Sequence, residues 1–293
     1  MAKTKEQLLN ILDQFQLDEK VVSAEPFGNG HINDTLKVTN EKGEIKYVLQ
    51  RINHLIFTNV DMLQNNIHVV TTHIRKKLEE KGETDIDRKV LTFLPTKDGK
   101  KYYFDGDSYW RVCLFIPRSK SYEEVTPELS YEAGKAFGDF QTMLSDIPEG
   151  TLGETIPNFH NMEFRLRQFH EAVAANPAGR LEEVKDLVEE IEKRAEAMCI
   201  QERLYREGQL KKRTNHCDTK VNNMMFDADS DKVLCVIDLD TVMPGFVLSD
   251  IGDFIRTGAN TGAEDDENLD NVTLIWRYSK PIPVDIWKKP RRS

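Results

Sequence analysis

The chain has 293 residues, 39% hydrophobic and 31% charged, with a formal net charge of −10. That length and balance describe one large or two modest globular domains and exclude a disordered polymer, while the acidic charge argues against a broad surface for nucleic acid or anionic membrane. No window approaches the about 18 apolar residues of a membrane span, and residues 1–10 lack the apolar core of a leader, so a cytoplasmic location is expected.

From the N-terminus, residues 4–16 space Leu8, Leu9, Ile11, Leu12 and Phe15 at helical intervals. Residues 21–27, the turn Gly28-Asn29-Gly30, residues 34–39, the turn 41–44 and residues 45–52 follow. They predict strand, glycine turn, strand, hairpin, strand. Residues 58–81 set Val60, Leu63, Ile67, Val70, Ile74 and Leu78 on one helical stripe. Strands are predicted at 91–95, 101–104 and 109–116, separated by the hairpin signals Asp98-Gly99 and Asp105-Gly106. The short polar segment 117–122 marks a boundary between residues 1–118 and 119–273. Pro127 suits the first turn of a helix over 127–145. Further helices are predicted at 160–175 and 180–207, the latter rich in i,i+4 charge pairs. The β-branched run 233–239 reads as a buried strand, and 250–258 opens another helix. A small β-rich lobe followed by a larger helical one predicts an α+β, protein-kinase-like two-lobe fold.

His216-Cys217-Asp218-Thr219-Lys220-Val221-Asn222-Asn223 reads H-x-D-x-K-x-x-N and resembles the catalytic loop of the protein-kinase-like superfamily. Asp218 is expected to accept the proton of an attacking hydroxyl, Asn223 to hold a magnesium ion and Lys220 to reach a γ-phosphate. Phosphoryl transfer needs in-line positioning and neutralised phosphate charge, and one loop carrying a carboxylate, an amide and an ammonium offers both. In Val236-Ile237-Asp238-Leu239-Asp240 an apolar run leads into acid, at the separation from Asp218 usual for the metal-binding aspartate of kinases. Asp238 is therefore a magnesium candidate, and Asp240 either its partner or plain surface. His216 is expected to hold the loop backbone. Cys217 is expected to pack rather than attack, and the four cysteines, lacking C-x-x-C spacing, to be free thiols. Asp250 either braces the loop through backbone N–H groups or caps a helix.

Between the first two strands, Gly28, Gly30 and Asn33 are candidates for nucleotide contact, because such a turn brings backbone N–H groups close to phosphates. Gln50 stands where kinases carry a strand lysine. Arg51 points to the opposite face by strand alternation, and the helix over 58–81 offers no paired glutamate in its first turns. A different anchor for the nucleotide is expected.

The segments EPFGNGHINDT, YVLQRIN, YWRVCLFI, AGKAFGDFQTML, FHNMEFRLRQF, HCDTKVNN and VIDLDTVMPGFVLSDIGDFIRTGA together resemble the aminoglycoside phosphotransferase/choline kinase group. Within it they are most similar to N-acetylhexosamine 1-kinases, over residues 21–272. The resemblance implies ATP and Mg²⁺ as cofactors and a small-molecule sugar as partner. It implies phosphorylation of the anomeric hydroxyl of N-acetylglucosamine or N-acetylgalactosamine, with Asp218 at that hydroxyl and His31 as a further sugar contact. Alternatives are another acceptor (choline, homoserine, an aminoglycoside) or a truncated, inactive nucleotide-binding product. A metal-hydrolase cluster of His216, Asp218, Asp238 and Asp240 is disfavoured, since such sites usually use more than one histidine. Residues 274–293, LIWRYSKPIPVDIWKKPRRS, are basic, proline-rich and aperiodic. Allowed codons read two bases out of frame can spell DMEIFKAYTRGYLEEAEE, an amphipathic helix, so this tail is expected to be a frameshift product that truncates the helical lobe.

Overall fold

The computed structural model describes residues 3–28, 32–122, 126–262 and 266–274. Gly30, His31 and tail residues 275–293 lie outside them. The first helix, α1 (Lys5–Leu12), starts at Thr4, whose hydroxyl accepts from Gln7 N while Thr4 N donates to Gln7 Oε1. It ends before the predicted stripe does, but Phe15 stays buried. Then come β1 (Val21–Pro26), β2 (Asp34–Asn40), β3 (Ile45–Ile52), α2 (Val60–Glu80), β4 (Phe93–Leu94), β5 (Tyr103–Phe104) and β6 (Tyr109–Leu114). These strands form one antiparallel sheet in the order β1-β2-β3-β6-β4, with β5 also on β6.

Strand alternation divides the sheet by function. Tyr47 and Leu49 of β3 and Trp110 and Val112 of β6 join Leu8 and Leu12 of α1 in one core. The opposite face carries Gln50, Ile52 and Arg111. There α2 packs Leu63, Ile67, Val70 and Ile74 against Phe140, Leu144, Leu239 and Val242 of the second part. Gln50 and Arg111 therefore lie on the face of the sheet against which α2 packs, away from the α1 core.

The second part holds β7 (Ser119–Lys120), α3 (Pro127–Met143), α4 (Met162–Ala175), α5 (Lys185–Met198), α6 (Ile200–Arg206), β8 (Arg213–Asn215), β9 (Met224–Asp227), β10 (Val233–Val236), β11 (Met243–Gly245) and α7 (Val247–Gly258). Two small sheets, β10-β9-β7 and β11-β8, flank the catalytic motif. Leu129, Ala133 and Phe137 of α3 pack on Met224, Phe226 and Phe254 beneath it.

Three details depart from expectation. The predicted helix 180–207 is a 3₁₀ turn (Leu181–Val184) followed by two helices separated at Cys199. The predicted strand 233–239 stops at Val236, and Asp238 takes a left-handed conformation with φ of +55°. Helix α7 begins at Val247 with Phe246 as its cap residue, so Asp250 lies inside the first turn rather than at the cap. Among the described residues, no helix is long and apolar enough to cross a membrane.

Candidate active site

The motif occupies the link between β8 and β9, and its backbone is held from below. The Asp250 carboxylate, fully buried, accepts His216 N at 2.9 Å, Cys217 N at 3.0 Å and Gln141 Nε2 at 2.8 Å. Burial pushes its pKa up to about 6, and the His216 ring and these donors keep it from rising further. Thr219 adds two anchors: its N–H donates to Asp253 Oδ2 (2.7 Å) and its hydroxyl to Asp250 O (2.7 Å). His216 lies edge-on to Phe137 and Phe140. Asp218 N donates to its Nδ1, so Nε2 carries the proton and donates to Ile237 O at 2.9 Å. These contacts leave Cys217 at a φ of +64°. Burial, followed by the charges of Asp250 and Asp253, pushes the Cys217 thiol well above its usual range, which leaves it a poor nucleophile.

Above this bracket stand the groups the sequence singled out. Asn223 Nδ2 donates to both Asp218 O and Asp218 Oδ2, each at 2.9 Å. With its nitrogen spent, Asn223 turns its carbonyl oxygen, a hard ligand, away from Asp218. Lys220 Nζ lies 3.6 Å from Asp218 Oδ1. Asp238 is reached by solvent, and among the described residues nothing donates a hydrogen bond to its carboxylate. The protein mass around the cleft, then the charges of Asp240 and Asp218, push it up to about 7. Among the described residues no cluster of three or more His, Cys, Asp or Glu side chains makes an all-protein metal cage. Asp238 with the Asn223 oxygen fits a magnesium ion instead, since that metal keeps waters and phosphate oxygens as its other ligands.

Asp240 is not a surface residue. It is 2% exposed and receives both prongs of Arg111: Nη1 to Oδ1 at 2.5 Å and Nη2 to Oδ2 at 3.0 Å. Asn33 Nδ2 also donates to Asp240 Oδ2, and Asn33 Oδ1 accepts Asn53 N. Arg111 sits opposite Gln50 in the β3–β6 ladder, and Gln50 opposite Thr35 in the β2–β3 ladder. Arg111 Nε donates to Gln50 Oε1 at 2.9 Å, and Gln50 Nε2 donates to Thr35 Oγ1 at 3.1 Å. The guanidinium thus fixes which end of the Gln50 amide is the donor. Burial alone lowers the pKa of Arg111, but the Asp240 charge and hydrogen bonds outweigh it and raise it. Gly28, two residues past the end of β1, has a φ of +76°, a conformation glycine adopts without strain.

Beside Cys217 a small hollow is lined by Glu154, His160, Glu202, Lys212 and Phe246. Phe159 stacks on His160 with centroids 4.5 Å apart, and His160 Nδ1 is buried without a partner among the described residues. The structure therefore gathers Asp218, Lys220, Asn223 and Asp238 at one end of the cleft and Asn33 and Gln50 across from them. His216 and Asp250 lie underneath. Arg111 is the residue that sequence reasoning missed. Its one signal was a guanidinium in the otherwise apolar run Trp110-Arg111-Val112-Cys113-Leu114, since a buried charge demands a partner.

A family model described as Phosphotransferase enzyme family (APH) matches residues 23–279. Spectinomycin phosphotransferase APH(9)-Ia, solved with ADP and spectinomycin, is similar over 100% of this chain and 82% of that one, with 14% identity and a TM-score of 0.62. Its AMP-bound complex gives 12% identity, 100% and 83% coverage, and a TM-score of 0.58. An aminoglycoside phosphotransferase from Alicyclobacillus acidocaldarius gives 16% identity, 87% and 72% coverage, and a TM-score of 0.55. At these identities the likeness is one of fold.

Proposed function

The chain belongs to the phosphotransferase enzyme family, and on that premise we propose that it is a kinase moving the γ-phosphate of ATP to a hydroxyl of a small molecule. The carrying observation is the junction of Asp218, Asn223 and Lys220 on a loop braced by Asp250, with Asp238 left without a donor beside it. In this reading residues 1–118 form the nucleotide lobe and residues 119–273 the catalytic lobe. The Asp218 carboxylate takes the proton of the acceptor hydroxyl. Its bond to Asn223 holds one oxygen and leaves the other toward Lys220, whose ammonium meets the transferred phosphate. Asp238 and the Asn223 oxygen hold Mg²⁺, which neutralises phosphate charge when bound. The Gln50 amide donates to a phosphate oxygen, joined by backbone N–H groups of the turn at Gly28 and Gly30.

The acceptor proposed first is the anomeric hydroxyl of N-acetylglucosamine or N-acetylgalactosamine, which rests on the resemblance of the segments above. Phe159 stacked on His160 and the nearby carboxylates suit a sugar ring, with His31 as a further contact. A second reading, a cationic hydroxyl acceptor, draws on Glu154 and Glu202 in the hollow beside Cys217. One solved structure of similar fold is a spectinomycin phosphotransferase crystallised with ADP and spectinomycin. The test is ADP release by the purified chain with Mg·ATP and a panel of amino sugars, aminoglycosides, choline and homoserine, with Asp218→Asn as control. Sugar 1-phosphate formed by the wild type alone supports the first reading, turnover of a cationic acceptor alone supports the second, and turnover surviving in Asp218→Asn overturns the assignment of the base.

A further inference from the structure

Behind the catalytic cleft, between α2 and the segment 91–101, lies a cavity of about 420 Å³, within the size range of small-molecule sites. Gln64, 3% exposed, lines it, and its Nε2 has no hydrogen-bond partner among the described residues. A buried amide left unpaired is costly, so this side chain marks a place where an acceptor belongs. The basic side chains lining the cavity are Lys101, Arg75 and His68, and no carboxylate is among its lining residues. Arg75 spends Nη2 on Asp87 and Thr92, each at 2.6 Å, and among the described residues Lys101 donates to the neutral Asn65 Oδ1 at 3.2 Å and to no carboxylate. Burial, then the nearby Lys101 ammonium, holds the His68 imidazole below its usual range. The other wall is apolar, built by Ile67, Leu91, Phe93 and Leu94.

We propose that this cavity is a second ligand site, separate from the nucleotide cleft, for a small organic anion with an apolar body. The anionic end accepts from Gln64 Nε2 and lies near Lys101, and the apolar body rests on Phe93 and Leu91. Binding there is independent of phosphoryl transfer. The site nevertheless adjoins the cleft, because the Phe93 ring that walls it also carries the Arg111 guanidinium at 5.4 Å on its face.

The experiment is a fluorescence titration of the full chain with anilinonaphthalene sulfonate, an anion with an apolar body, with and without saturating Mg·ADP. The expected result is one saturable site that ADP does not displace. Lys101→Glu and Gln64→Leu should each weaken it about tenfold or more, while both variants keep the wild-type cooperative unfolding. Lys101 is exposed, so its variant folds even if a change at Gln64 does not. Absence of saturable binding, displacement by ADP, or unchanged affinity in Lys101→Glu overturns the proposal.

Discussion

The bracket under the catalytic loop and the cleft above it are built from the same side chain in opposite states. Below, Asp250 is enclosed and its oxygens take three protein donors. Above, Asp238 takes none among the described residues and faces two further carboxylates. Asp240 shows the intermediate case, since Arg111 and Asn33 have already claimed it. The protein completes the interactions that fix geometry and leaves incomplete those that, in the proposed kinase reaction, a metal and phosphates would finish. Preorganisation and ligand affinity are thus placed in adjacent layers.

The sharpest way to break that division is Asp218→Asn. The amide keeps the shape but cannot take a proton, so kcat should fall by about 10²–10⁴, with nucleotide affinity and unfolding midpoint unchanged. Next is Arg111→Met, which strands Asp240 as a buried charge. Denaturant unfolding should show a loss of about 3–5 kcal/mol, and Arg111→Lys should recover only part of it, because an ammonium cannot match both carboxylate oxygens and Gln50. Asp250→Asn leaves one oxygen where two backbone N–H groups need acceptors, and should cost about 1–3 kcal/mol in the same assay. In the cleft, protons compete with the metal at Asp238. Its pKa is raised by its surroundings and by the charges of Asp240 and Asp218, so the apparent Mg²⁺ affinity measured from rate against metal concentration should be weaker at pH 6 than at pH 7, and Asp238→Asn should abolish that dependence. The smallest effect is expected far from both layers. Leu187 on α5 is 64% exposed, so Leu187→Ala should change stability by less than about 0.5 kcal/mol.

The loop was legible because its chemistry is local: Asp218, Lys220 and Asn223 lie within one turn of chain, and spacing alone brings them together. The stripe of α2 was legible for a similar reason, since its apolar positions repeat at the helical period and find a partner. Helix α5 carries a comparable stripe, yet neither α4 nor α5 buries a residue among those described. Periodicity reports a face, not what covers it. Arg111 stayed hidden because its function depends on cross-strand register, which sets it opposite Gln50, and on Asp240, 129 positions away. The break at Cys199 has no strong local signal either, as neither proline nor glycine stands there.

The grip on Asp240 also constrains how the molecule can move. Asn33 and Arg111 come from the first part of the chain and Asp240 from the second, so the two halves are tied at the back of the cleft. Widening the mouth then becomes rotation about a fixed pivot rather than separation, and the pivot lies two residues along the chain from Asp238. Any opening of the two halves is then hinged where Asn33 and Arg111 meet Asp240, and leaves the neighbourhood of that junction the least changed.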